Sequence, residues 1–324
     1  DYAANLQNLA LYNFSLGDYH NAMNLGTEAM EIQREVLGEN HPNYATSLLT
    51  LANCNSFFGN YQEAFRLCVQ AIKIQREVLG EKHPDYAKSL SSLAANYSEL
   101  GNYYEAIKLG TQAMEIQREV LGKKHPNYTE YINNLAEYNS SIGHYQEAMR
   151  LGTEAMEINR EVLGEKHPAY AESIDNLAVY NLDLGNHKDA LRLFTQAMAI
   201  RREVVGEKHP DYAKSLYNLA GWYDYLGNYK EAMKLALQSK EILRDIFGEK
   251  HSNYATILGI LATCNSRQGN HKEAIRLITK AMEIQREVLG EKHPDYAKSL
   301  SNLAGYNSSI GHYQEAIRYC TQAM

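Results

Sequence analysis

The chain has 324 residues, 44% of them apolar and 22% charged, a balance that supports a large buried core and excludes a disordered chain. Its formal net charge of −7 gives no basic footprint for nucleic acid, and no stretch approaches the roughly 18 consecutive apolar residues of a membrane helix. Neither nucleic acid nor membrane is therefore an expected partner.

The string "GEKHPDYAKSL" at 80–90 recurs at 206–216 and 290–300, with starts 126 and 84 residues apart, both multiples of 42. Rows of 42 align the whole chain without a gap: 1–42, 43–84, 85–126, 127–168, 169–210, 211–252, 253–294 and an incomplete 295–324. A period of this length means stacked supersecondary units, none able to bury its apolar face alone. Columns below carry the name of their first-row residue.

In chain order, Leu6, Leu9, Ala10 and Asn13 mark one face of a first helix, A. It ends at the Gly17 column, glycine in every row, as a left-handed C-cap requires. Asn60 with Glu63 and Asn102 with Glu105 predict a capping box that opens helix B. Helix B carries an expected apolar seam of Ala22, Leu25, Ala29, Ile32 and Val36 and stops at Gly38. The repeated string is then a joint: a glycine cap, solvated Glu81 and Lys82, and Pro84 preset for the next helix. Seven joint histidines (His41, His83, His125, His167, His209, His251, His293) recur once per unit, at a helix-packing spacing on the order of 10 Å. That is too wide for metal ligands, so they read as helix-start structure. The Arg34 column, arginine in all seven rows that reach it, predicts an inter-repeat salt-bridge ladder.

The Leu6, Leu9, Ala10, Ala22 and Ala29 columns, with Gly17 and Tyr19 between the helices, resemble the tetratricopeptide repeat (TPR). The lengthened helix B, ending "EIQREVLGEKHP", is similar to the repeats of kinesin light chains and of bacterial proteins that share them. The resemblance implies an all-α, right-handed solenoid of stacked helix-turn-helix units acting as a binding scaffold. Two columns depart from the family. Where it usually has tyrosine, this chain has Asn13, Asn55, Asn139, Asn181, Asn265 and Asn307. A buried unpaired amide costs about 1–3 kcal/mol, so each is expected to bond a backbone carbonyl or the next row's asparagine. Where helix B usually offers a large aromatic, the column reads Gly26, Cys68, Gly110, Gly152, Phe194, Ala236, Ile278 and Cys320. A mid-helix glycine costs about 1 kcal/mol, and closer helix approach is the expected compensation.

No G-x-S-x-G, Walker loop, H-E-x-x-H or paired Cys/His signature occurs, so no enzyme, cofactor or metal is expected. Cys54, Cys68, Cys264 and Cys320 form no C-x-x-C pair and fit a reducing, cytoplasmic setting. The variable columns Ala4, Gln7, Asn8, Leu11, Phe14 and Ser15 fall opposite the core face of helix A. By resemblance that face lines a concave groove for extended peptides, and Asn8, Asn134, Asn176, Asn218 and Asn302 hold the peptide backbone. The expected peptide-binding residues are Asn134, Glu137, Asp175, Asn176, Asp183, Tyr217, Asn218 and Tyr225. Glu99, Glu130, Glu137, Glu172, Asp175, Asp183 and Asp224 against Lys88 and Lys214 imply a basic ligand. Tyr217, Trp222 and Tyr225 sit beside these acids, and Tyr217 with Tyr225 can flank an arginine or an apolar anchor. The plainer alternative is a solvated helix face, with Glu130 and Glu172 placed early because the helix dipole favours acids there.

Row six departs most: Ser239-Lys240, Phe247, and Ser252 in place of the joint proline, which predicts a looser joint. The expected function is a protein-interaction scaffold binding an extended peptide or partner protein. The alternatives are a sensor or regulatory arm of a larger bacterial enzyme, such as a caspase-like (CHAT-type) protease, and a structural spacer. The start at Asp1 without methionine and the stop at Met324 in mid-pattern predict a fragment, with end-to-end self-association open to its uncapped termini.

Overall fold

Each helical pair is bounded by two turns that suit glycine. Gly17, at φ 82°, ends the first helix in a Schellman arrangement: the Asp18 N–H donates to the Asn13 carbonyl at 2.9 Å and the Gly17 N–H to that of Phe14 at 3.1 Å. Gly38, at φ 85°, ends the second. In this computed structural model the described residues are 2–323; Asp1 and Met324, on which the expectation of a fragment rests, lie outside them. Among the described residues the chain forms sixteen helices and no strand: α1 (Tyr2–Ser15), α2 (Tyr19–Leu37), α3 (Pro42–Phe57), α4 (Tyr61–Val78), α5 (Pro84–Glu99), α6 (Tyr103–Leu121), α7 (Pro126–Ser141), α8 (Tyr145–Leu163), α9 (Pro168–Asp183), α10 (His187–Val204), α11 (Pro210–Tyr225), α12 (Tyr229–Phe247), α13 (Ser252–Arg267), α14 (His271–Val288), α15 (Pro294–Ser309) and α16 (Tyr313–Ala323).

The helices gather into two compact units, Asp1–Glu165 with Val179–Gly185, and Lys166–Ala178 with Asn186–Met324. In the first, the hairpins α1/α2, α3/α4, α5/α6 and α7/α8 stack in sequence, each second helix also touching the first helix of the next pair. The second unit stacks α11/α12, α13/α14 and α15/α16 in the same way, with α10 against α11. Alanines make the stacking close: Ala10, Ala22 and Ala29 are wholly buried, as are Ala52, Ala64 and Ala71 one repeat on.

Several sequence expectations hold at the residue level. The Asn13, Asn55, Asn139, Asn265 and Asn307 amides donate to the carbonyl four residues earlier at 2.8–2.9 Å, so the polar column is satisfied within its own helix. The joint histidines are helix caps. The Nδ1 of His41, His83, His125 and His167 accepts the backbone N–H two residues on at 3.1 Å, the bond that a Ser or Asn cap would supply. Glycine does permit close approach. A Cβ on Gly110 would lie 3.3 Å from the Tyr138 ring, and one on Gly26 would lie 3.2 Å from Leu51.

Other expectations are corrected. The last turns of helix B bury Gln33, Gln75 and Gln117 and leave Val36, Val78 and Val120 in solvent, because the next repeat presents a polar partner there. Ser47 Oγ donates to Gln33 Oε1 at 2.7 Å, Ser89 bonds Gln75, and Gln117 Nε2 donates to the Tyr131 hydroxyl at 3.0 Å. Trp222, expected beside the groove acids, belongs to a core column, with Cys54, Asn96, Tyr138, Tyr180, Trp222, Cys264 and Tyr306 all buried. The capping box is half-formed at Asn102, which accepts the Glu105 N–H at 3.5 Å, and absent at Asn60, which makes no side-chain cap bond; the Glu105 carboxylate is held by Lys108 at 3.1 Å and that of Glu63 by Arg66 at 2.6 Å. A charged donor three residues on outcompetes a neutral backbone N–H. The inter-repeat ladder runs through the joint lysines, in Lys82–Glu119, Lys124–Glu161, Lys166–Glu203 and Lys250–Glu287, whereas Arg202 and Arg244 pair inside their own repeats. In row six Phe247 stacks on His251 at 4.3 Å, which gives the joint without proline a packed contact of its own.

Candidate peptide-binding face

The variable face of the first helices is only partly open. Its Ala4, Leu11 and Ser15 columns reach solvent, which exposes Glu130, Glu137, Asp183 and Tyr225. In its Asn8 column Asn134, Asn176 and Asn218 are half-buried, while Asn8 is exposed and Thr50 buried. The Gln7 column turns inward. Asp175, expected on the open face, is 4% exposed and ion-paired through Oδ2 to Arg201, whose Nη1 also reaches Ser215 Oγ at 2.6 Å. Burial raises the Asp175 carboxyl above its ordinary value and Arg201 opposes the rise. Asp175 is therefore a support: Asn218 Nδ2 donates to its Oδ2 at 3.4 Å. Trp222 is likewise buried. Asp224 is enclosed, accepting the Cys264 thiol at 3.4 Å and lying 3.7 Å from Arg267, while Glu172 faces Lys214 at 3.6 Å.

The acids that stay open gather in the first unit. The Asp183 carboxylate accepts from Ser140 Oγ at 2.6 Å, and Asn134 lies one helical turn before Glu137 on α7. Glu137 reaches solvent, yet the surrounding protein partly desolvates it, and its carboxyl is pushed up by that burial and then by Glu99. The neighbouring Tyr180 phenol is raised by burial and also by Glu137 and Asp183. Among the described residues no salt bridge neutralises Glu99, Glu137 or Asp183.

The second unit holds Asn176, Tyr217, Asn218 and Tyr225. Tyr225 is exposed, with the His187 ring 5.7 Å away, and Tyr217 is half-buried between two hollows. One, of about 290 Å³, runs between α11, α12 and α13 over Ala213, Leu243 and Ile257. The other, of about 150 Å³, is lined by Gly221, Gly259, Gln285 and Asn302, and the buried Gln285 Oε1 has no hydrogen-bond partner. Sequence reasoning placed Tyr217 but missed both hollows. The available signal was the Leu243 and Ile257 pair, which stands where other rows carry polar residues.

The thiols near this face are not poised for reaction. Burial pushes Cys54 up to about 11 and Cys68 and Cys264 to about 12, so they stay protonated at neutral pH. Among the described residues no group of His, Cys, Asp or Glu is arranged to hold a metal ion, and no helix is long and apolar enough to cross a membrane.

The tetratricopeptide repeat family matches at residues 2–77, 57–112, 90–161, 150–203, 176–245, 234–284 and 253–324. No curated protein matches. Among solved structures, a Podospora anserina protein described as a kinesin light chain with nearly identical TPR-like repeats shares 30% identity, over 63% of this chain and 97% of that one, at a TM-score of 0.54. BtubC (BKLC) from P. vanneervenii is similar in fold, at 21% identity over 68% of this chain and 89% of its own, with a TM-score of 0.56. So is a Rap protein solved with Competence and Sporulation Factor, at 14% identity, 99% and 96% coverage and a TM-score of 0.65.

Proposed function

The chain belongs to the tetratricopeptide repeat family, in its kinesin-light-chain-like form, and from that premise we propose that its first-helix face binds an extended, basic segment of a partner protein. The observation that carries this reading is the state of Glu137: open to solvent, crowded by protein, raised in pKa by burial and by Glu99, and without a cation. An arriving lysine or arginine relieves that repulsion and replaces lost water with a charge-assisted hydrogen bond. In the first unit Asn134 supplies an amide for a peptide backbone and Asp183 a carboxylate for a basic side chain; in the second, taken by itself, Asn176 and Asn218 supply amides and Tyr217 and Tyr225 supply rings. Asp175 acts only by holding Asn218.

The test is selection from a random peptide display library on the wild type and on Glu137→Lys/Asp183→Lys. Wild type is expected to enrich Lys- and Arg-bearing peptides whose affinity falls with salt, because exposed charges are screened over about 8 Å at physiological ionic strength. Equal capture of those peptides by the double variant would reject the basic ligand.

A further inference from the structure

Between successive repeats a polar residue late in helix B meets a polar residue on the next first helix: Gln33 with Ser47, Gln75 with Ser89, Gln117 with Tyr131, Arg201 with Ser215. At the α12–α13 junction both are hydrocarbon, Leu243 and Ile257, and the Gln7-column residue beside them is Tyr217. Leu243 and Ile257 are buried, yet they do not fill the space, and the hollow of about 290 Å³ opens between α11 and α13.

We propose that this hollow is an anchor pocket for one phenylalanine-sized aromatic side chain of the bound segment, a refinement that rests on the peptide-face reading above. Its floor of Ala213, Leu243 and Ile257 offers only carbon, and the one carboxylate of the lining, Asp211, is matched there by the Lys214 ammonium, so the lining has no net negative charge to offset the water that a lysine or arginine head would lose. Its size suits a ring, since an apolar cavity of about 150 Å³ already takes benzene. Tyr217 supplies an aromatic wall, where edge-to-face or offset packing adds to burial. Lys214, Asn253 and Thr256 at the rim leave polar groups for the amides that flank the ring.

The experiment is a methyl NMR titration of the full chain, labelled at Ile and Leu, with N-acetyl-phenylalanine amide and separately with N-acetyl-arginine amide. The phenylalanine amide is expected to shift the Leu243 and Ile257 methyls saturably and the arginine amide is not. Thr256→Trp, which plugs the mouth, should abolish the shifts, and Leu243→Gln/Ile257→Ser, which restores the pair used elsewhere but removes the reporting methyls, should weaken binding of library-selected aromatic peptides about thirtyfold. Glu137→Lys/Asp183→Lys should keep the shifts. In library-selected peptides, replacing the aromatic residue by alanine should weaken binding about thirtyfold, as for a buried hot spot. Silent methyls, equal shifts with the arginine amide, shifts that survive in Thr256→Trp, or undiminished binding of aromatic peptides by Leu243→Gln/Ile257→Ser overturn the pocket and leave the acidic face standing. A pocket that fills while the double lysine variant captures peptides as wild type does overturns only the acidic face.

Discussion

Two consecutive junctions of the second unit solve one packing problem in opposite ways. Between α10 and α11, Asp175, Arg201 and Ser215 fill the space with a buried, hydrogen-bonded ion pair. Between α12 and α13, Tyr217, Leu243 and Ile257 fill it with hydrocarbon and leave a hollow. The glycine turns are the same at both, and although row six has Ser239 for a frame alanine and Ser252 for the joint proline, the three side chains that line the junction are what differ in the wall itself.

The largest expected effect comes from breaking the charged junction. Arg201→Leu leaves Asp175 buried and unpaired and should lower stability by about 3–5 kcal/mol in urea unfolding. The triple change Asp175→Tyr/Arg201→Leu/Ser215→Ile copies the α12–α13 junction and should recover most of that loss. The pH dependence has a definite sign. Burial already raises the folded-state carboxyl of Asp175 above its ordinary value, and losing Arg201 raises it further. The folded protein then holds a proton that the unfolded chain has released, so the penalty of Arg201→Leu grows as pH rises above the ordinary carboxylate range and shrinks on acidification.

A smaller contrast separates tight from open glycines. Gly110→Leu must displace the Tyr138 ring and should cost about 1–3 kcal/mol, whereas Gly259→Ala meets nothing within 4 Å and should gain up to about 1 kcal/mol of helix propensity. Thermal unfolding of the two variants checks the pair of signs. Smaller still is the row-six joint. Amide exchange at Asn253–Ala255 should match that of the equivalent residues in α15, and Phe247→Ala should speed it by removing the stack on His251.

The fold was legible because its causes repeat. Glycine at the Gly17 and Gly38 columns and alanine at Ala10, Ala22 and Ala29 each answer a constraint that every unit shares. What was misread lies between units. A helical wheel of one repeat cannot show that the next repeat's Ser47 turns Gln33 inward and leaves Val36 outside. The candidate face shows the same effect: a wheel of α9 turns Asp175 outward, whereas Arg201 of α10 holds it buried. A trace was present in the sequence, since the one row with arginine in the Gln33 column is also the one with aspartate in the Gln7 column. The hollow was less visible, because the space that side chains leave depends on their rotamers as well as on which residues they are.

The most direct measurement is an NMR pH titration of the Glu137 carboxyl, free and with a library-selected basic peptide. The free carboxyl should titrate above the ordinary glutamate range, and bound peptide should bring it down as a cation replaces the repulsion from Glu99. An ordinary value in the free protein, or no downward movement on binding, would contradict the account.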